Sequence, residues 1–216
     1  MARRAHKGAW RYKPDRRDWR ASGLRRPAAV APRDTFVWPT PWPPRDQHET
    51  PACVGYAWAG WLDAHLGPGH GMDPEDLYRR AQRRDPWPGE DYEGSTARGG
   101  AKVLRAIGLV HSFYRADSPA ELAEGVLYHG PAVMGTAWYE RMSTPRPGRH
   151  GRLYAVDEGQ PEGGHAWLVI GASTADRWFL LRNSWGTDYP DTFLTWGTMA
   201  RLLKQEAEAI LAVPAD

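Results

Sequence analysis

The sequence predicts an α+β fold of two segregated lobes, and three observations carry that reading. Four segments between residues 51 and 130 place apolar residues at the three-and-four spacing of buried helix faces. After Pro131 the pattern changes to short apolar runs, AVMGTAWY, HAWLVIGAS and RWFLLRNSW, separated by loops rich in Gly, Pro and Asp, which read as strands. With 216 residues, 41% hydrophobic content, 12 Trp and 9 Tyr, the chain can bury a core large enough for two lobes sharing a cleft.

Residues 1–46 are expected to run extended, because Pro14, Pro27, Pro32 and the prolines of VWPTPWPP exclude regular helix. Residues 1–26 carry ten Lys/Arg against two Asp, a charge of +8 that leaves −6 for the remainder. Such an arm can touch nucleic acid or an anionic surface; the reading preferred here is a solvated arm packed loosely on the outside. Residues 27–216 then form one domain, with a helical lobe over about 47–115 and a β lobe over about 116–213.

The first helix is expected from Thr50 as cap and Pro51 as first residue to a stop at Gly67-Pro68. Its buried face comprises Val54, Ala57, Trp58, Trp61, Leu62 and His65. Asp73 caps a second helix that opens on Pro74. Thr96 opens a third, with Val103, Leu104 and Ile107 as its apolar stripe and Gly108 as its end. Ser118, Pro119 and Glu121 mark a fourth with a capping box. The C-terminal stretch is ambiguous: MARLLKQEA can form a helical turn and EAILAV a closing strand.

A single cysteine cannot form an internal disulfide, no apolar run near the N-terminus resembles a signal-peptide core, and none anywhere approaches the length of a membrane span. The expectation is a cytoplasmic, soluble protein without membrane contact. Scattered histidines and one cysteine also argue against a metal centre, and no cofactor is expected.

That cysteine, Cys53, falls in the first turn of the first helix, where the helix dipole and free backbone N–H groups favour thiolate. A nucleophilic cysteine needs a base, and the base needs a partner that fixes its tautomer. Of eight histidines, His6, His65, His70, His111, His129 and His150 read as surface or packing residues, and His48 is too near Cys53 in sequence. His165 differs, since it follows Gly163-Gly164 and opens a buried strand. Pairing of HAWLVIGAS with WFLLRNSWG around the TADR turn brings Asn183 beside His165. The Asn183 side-chain oxygen would accept from one ring nitrogen and leave the other for Cys53, with Trp185 covering the bond.

The order Gln47, Cys53, GGHAWLVIGA and RNSWG resembles the papain-like cysteine peptidases over roughly residues 27–200. The resemblance implies the two-lobe fold of that family, a helical left lobe and an antiparallel β-sheet right lobe with a cleft between. It also implies Cys53 as nucleophile, His165 as base, Asn183 as orienting residue and Trp185 as shield. Gln47 and the Cys53 N–H would then form the oxyanion hole. EGSTARGGAKVLRAIGLV occupies the place of the family's glycine-containing substrate strand, so Gly94, Ser95 and Thr96 would offer backbone hydrogen bonds to an extended peptide. GPAVMGTAW stands where a specificity-pocket wall runs, which makes Gly135 and Thr136 wall residues and, with Gly164, implies a roomy pocket without a charge.

Departures are plain too. Val54 replaces the tryptophan that usually follows the cysteine, the disulfide cysteines of secreted members are missing, and no typical pro-region precedes the domain. These resemble a bacterial, cytoplasmic branch. Cys53 and His165 lie 112 residues apart, below the usual ~130–150, which implies shortened loops. The resemblance implies hydrolysis of a peptide or protein substrate through a thioester on Cys53. Two alternatives stand beside it: a papain-like scaffold that binds peptide without cleaving it, and a transpeptidase, isopeptidase or cell-wall endopeptidase using the same triad.

Overall fold

Along the computed structural model, which describes Lys13, Asp15, 18–68 and 72–215, the chain first forms β1 (Thr35–Val37) and α1 (Cys53–Leu66). Then follow α2 (Pro74–Gln82), α3 (Ala97–Ala106), β2 (Val110–Arg115), α4 (Pro119–Tyr128) and β3 (Ala132–Tyr139). The second half holds β4 (Arg146–Pro147), β5 (Leu153–Tyr154), β6 (Pro161–Ser173), β7 (Trp178–Arg182), β8 (Thr192–Thr195), α5 (Trp196–Lys204) and β9 (Glu208–Pro214). The architecture is α+β, built on one large and mainly antiparallel sheet. Expectations for His6, Pro14, His70 and most of the arm's charge fall outside the described residues.

The sheet runs β2-β9-β3-β6-β7-β8-β5-β4, and β6 is its longest strand. On one edge β6 pairs with β3 through Ala132↔Val169 to Tyr139↔Pro161, and beyond that with β1 through Val37↔Gly171 to Thr35↔Ser173. On the other edge β7 pairs only from Leu168↔Arg182 to Ser173↔Trp178. The N-terminal half of β6 is therefore left without a strand neighbour on that edge. His165 stands there.

Both faces of the sheet are covered, which explains why β6 reads as an unbroken apolar run and not as an alternation. Ala166, Leu168 and Ile170 enter one core with Val54, Trp58, Trp61 and Leu62 of α1, Leu77 of α2 and Leu104 of α3. Trp167 and Val169 enter a second core with Leu122 and Val126 of α4 and Met199 and Leu202 of α5. The ambiguous C-terminal stretch becomes both a helix and a strand, α5 and β9.

Helix ends follow the local chemistry with two exceptions. Asp73, Thr96 and Ser118 cap as expected, accepting from the N–H groups of Asp76, Gly99 and Glu121. Thr50 does not cap α1. Its hydroxyl donates to the Gln47 carbonyl at 2.8 Å, which makes a turn of residues 47–50 and moves the helix start to Cys53. Ile107 does not complete the α3 stripe; it is the C-cap residue and 44% exposed, because the helix has already ended. Gly108 follows at φ +79°, a conformation that suits glycine.

The described part of the N-terminal arm is docked. Buried Arg98 of α3 forms ion pairs with Asp15 (2.7 Å) and Asp18 (3.1 Å), and the Trp19 carbonyl accepts from the Arg115 N–H. A loosely packed arm was expected from charge alone. Charge composition does not reveal that two of its carboxylates neutralise a buried guanidinium.

Candidate active site

Gln47 reaches the site through a short backbone ladder. Gln47 N–H donates to the Ser184 carbonyl (2.8 Å), and Gly186 N–H donates to the Arg45 carbonyl (3.0 Å). This ties the segment before α1 to the segment after β7. The turn that Thr50 closes then delivers the chain into α1 with Cys53 as its first residue. Arg45 fixes the same segment from behind through a bidentate pair to Asp63 of α1, at 2.6 and 2.9 Å.

Cys53 is fully buried at the head of α1. The backbone N–H groups of Ala166, Val54 and Cys53 itself act on its sulfur and pull the thiol down. The influence of Ala166 relates the thiol to β6, one residue from His165. Those N–H groups favour thiolate, as the helix N-terminus predicts, but burial outweighs them and pushes the thiol up to about 12. Against the expected thiolate, removing the sulfur from water disfavours the charged form more than the backbone donors favour it.

His165 Nε2 lies 2.8 Å from Asn183 Oδ1. Asn183 Oδ1 also accepts the Ser184 N–H at 2.8 Å, which settles the orientation of the amide. An oxygen facing His165 accepts, so Nε2 carries the hydrogen and, in neutral imidazole, Nδ1 carries the lone pair. Asn183 holds this position because β7 pairing ends at Arg182, leaving the next residue to turn its side chain toward the unpaired half of β6.

Aromatic rings enclose the imidazole. Trp185 lies over it at 4.9 Å between centroids with planes 32° apart, and Trp138 approaches edge-on at 4.9 Å and 78°. Trp138 donates its indole N–H to the Ser143 hydroxyl, which donates to Glu162. Trp138 lies on β3 two residues beyond Thr136, hence on the same face of the strand, and that period was the signal available in the sequence.

Residues read as substrate-binding are placed differently from expectation. Gly94 N–H donates to the Tyr78 hydroxyl (2.9 Å), and its carbonyl accepts from Gln82 Nε2 (3.3 Å). Ser95 is buried on Asp85, and Thr96 is buried as the α3 cap. The backbone groups of Gly94 are therefore taken by side chains of α2, while the Ser95 hydroxyl is held by Asp85 and Thr96 is engaged with α3. Gly135 and Thr136 lie inside β3, opposite Ala166 and His165, and Thr136 Oγ1 accepts from Trp167. Gly164 is half-buried opposite Ala137.

One carboxylate neighbours the expected wall residues in the sheet. Glu208 of β9 is the direct partner of Gly135, so the two share one face of the sheet. Its buried carboxylate accepts the Ala97 N–H (2.7 Å) at the N-terminus of α3. Among the described residues no group of His, Cys, Asp or Glu forms a candidate metal site, and no helix is long and apolar enough to cross a membrane.

The fold matches the papain-like two-lobe architecture. Solved structures of similar fold include xylellain, a cysteine protease from Xylella fastidiosa, with a TM-score of 0.72 and 17% identity over 100% of both chains. Procathepsin B S9 from Trypanosoma congolense matches 97% of this chain and 87% of its own at TM-score 0.65 and 14% identity. Digestive procathepsin L 3 from the larval midgut of Tenebrio molitor matches 92% and 76% at TM-score 0.63 and 14% identity. No protein-family model and no curated protein sequence matches the chain.

Proposed function

We propose that this chain is a cysteine peptidase that cleaves an amide bond of a peptide or protein through a thioester on Cys53. The observation that carries the reading is the 2.8 Å contact of His165 with Asn183, with the Ala166 N–H next to His165 acting on the buried Cys53 thiol. Nucleophile, base and orienting residue are thereby neighbours.

In the proposed reaction, His165 Nδ1 takes the Cys53 proton as the sulfur attacks the carbonyl carbon, because burial holds the resting thiol neutral. Asn183 keeps the opposite nitrogen protonated and stabilises the imidazolium as it forms. One N–H of Gln47 Nε2 and the Cys53 N–H would hold the tetrahedral oxyanion. The imidazolium then protonates the leaving amine, and water with His165 as base hydrolyses the thioester. No cofactor enters this scheme. Peptides or proteins are the proposed substrates, the site residues Cys53, His165, Asn183 and Gln47 being one proposal with the reaction.

A second reading, a scaffold that binds peptide without cleaving it, draws on the complete burial of both Cys53 and His165. Two measurements separate them: hydrolysis of a mixed peptide library, and intact mass after an epoxysuccinyl-peptide probe. Wild type, His165→Ala and Cys53→Ala are compared. Cleavage and a single adduct, both lost in Cys53→Ala and both slowed sharply in His165→Ala, support the peptidase. Peptide retention with neither cleavage nor adduct supports the binding scaffold and overturns the proposal.

A further inference from the structure

We propose that the hairpin of residues 146–154, in the connection between β3 and β6, is a surface outside the cleft that binds an acidic segment of the peptide or protein substrate. The inference rests on the peptidase reading above and narrows its substrate class. Arg146, Arg149, His150 and Arg152 fall within seven residues, and no Asp or Glu occurs from 141 to 156. Arg146, Arg149 and His150 are exposed, and Arg152 is half-buried.

Elsewhere arginines meet counter-ions: Arg45, Arg98, Arg182 and Arg201 each pair with a carboxylate at 2.6–2.8 Å. Among the described residues no carboxylate pairs with Arg146, Arg149 or Arg152. The next acidic residues after the hairpin face Arg201 instead, Asp157 through two bonds of 2.8 and 2.7 Å and Glu158 through its charge. Three like charges so close along the chain repel one another, and an anionic partner relieves that repulsion.

The charges are also held in place before any partner arrives. Arg146 pairs with Tyr154 and Pro147 with Leu153, and the Gly148 N–H donates to the Arg152 carbonyl at 2.8 Å. Gly148 packs so closely on the Tyr154 ring that a Cβ there would lie 2.6 Å from it. The Arg152 guanidinium stands 4.7 Å from the ring centre of Phe193 and 5.5 Å from that of Trp178, which fixes it without neutralising it. Guanidinium groups suit carboxylates, each of which takes two parallel N–H bonds. Nucleic acid would call for bare aromatic faces on which bases stack. Here Trp178 is buried, Phe193 lies under Arg152 and Tyr154 is packed on Gly148.

The hairpin lies within reach of the cleft. Tyr154 pairs with Phe193 of β8, and Tyr189, four residues before Phe193, packs on Trp185 at 5.2 Å between ring centroids. Trp185 in turn covers His165. This path is on the order of 25 Å long, the span of about seven extended residues.

Two measurements test the proposal. The first needs no turnover: fluorescence anisotropy of a labelled hexaglutamate peptide, with hexaglutamine as control, on wild type and on Arg146→Gln with Arg149→Gln. Both substituted side chains are exposed, and Arg152 stays on its rings. Hexaglutamate should bind wild type at low ionic strength, bind the variant on the order of 10-fold more weakly, and be released by salt. Equal affinity for the two peptides, or an unchanged affinity in the variant, overturns the proposal. Hairpin-dependent binding of a twelve-nucleotide oligothymidylate in preference to hexaglutamate also overturns it and makes the hairpin a nucleic-acid surface.

The second is kinetic. The best-cleaved peptide of the mixed library is extended by six Glu or six Gln, the block starting about seven residues from the scissile bond. For wild type the Glu form should show a KM lower on the order of 10-fold at equal kcat, and Arg146→Gln with Arg149→Gln should abolish the difference. Equal KM for the two forms in wild type overturns the proposal. Absence of any hydrolysis by the wild type would reject the peptidase reading, while anisotropy still decides what the hairpin binds.

Discussion

Asn183 Oδ1 stands 2.8 Å from His165 Nε2, across the point where β7 has left β6. The contact is made by side chains because the sheet no longer connects these two segments. Its partner bond from the Ser184 N–H uses the second lone pair of the same oxygen, so the Asn183 amide cannot reverse without losing both bonds.

Removing that oxygen should weaken the base without removing the nucleophile. Asn183→Ala is expected to lower kcat by roughly 10- to 100-fold, less than the full 10²–10⁴ that general acid–base catalysis contributes. Steady-state kinetics on a peptide substrate measures it. An unchanged kcat would mean that His165 keeps its tautomer by another contact.

Gln47→Ala should cost on the order of 100-fold in kcat with a small change in KM, the behaviour of a donor used chiefly in the transition state. A rise in KM at constant kcat would instead mark Gln47 as a uniform binding contact.

The thiol of Cys53, pushed up to about 12 from an ordinary value of 9.0, links stability to alkaline pH. The folded state holds its proton where the unfolded state has released it. Stability from this group is therefore complete below about pH 9 and is lost as pH rises toward 12, by about 4 kcal/mol at most. Tyr189, also raised by burial, acts in the same direction, so the comparison is between wild type and Cys53→Ala. The variant should lose less thermal stability between pH 8 and 10.5. Alkylation of native Cys53 should also rise about tenfold per pH unit from pH 7 to 10. A rate flat over that range would show a preformed thiolate–imidazolium pair.

Gly55 lies where α1 meets α2. A Cβ there would sit 1.9 Å from the Pro74 carbonyl oxygen and 2.9 Å from Tyr78 Cβ. Gly55→Ala should lower unfolding stability by about 1–3 kcal/mol as the helices are forced apart. Chemical denaturation reads the cost. A stabilising effect, as helix propensity alone predicts for glycine to alanine, would mean that the two helices separate freely.

Arg98 is buried and paired with two carboxylates of the arm. Asp15→Asn with Asp18→Asn should destabilise the protein by about 3–5 kcal/mol, the cost of leaving an interior charge without its counter-ion. The same denaturation experiment checks it. A change below about 0.5 kcal/mol would return the arm to the status of a solvated tail.

What the sequence determined by itself were the features written in local chemistry. Asp73, Thr96 and Ser118 cap because a side-chain oxygen follows the backbone into the first turn, and apolar periodicity separates helices from strands. The α+β class and the order Gln47, Cys53, His165, Asn183 were legible for that reason. Tertiary structure alone decided what depends on partners distant along the chain. Burial pushes the Cys53 thiol up against the pull of the helix N-terminus, since desolvation counts neighbours distant along the chain. Tyr78 and Gln82 occupy the backbone groups of Gly94, and Glu208 stands opposite Gly135 in the sheet. Ser184 joins Gln47 to Asn183 across 137 residues of sequence. A hydroxyl inside RNSWG has no period to mark it, so only the fold could reveal which amide it holds.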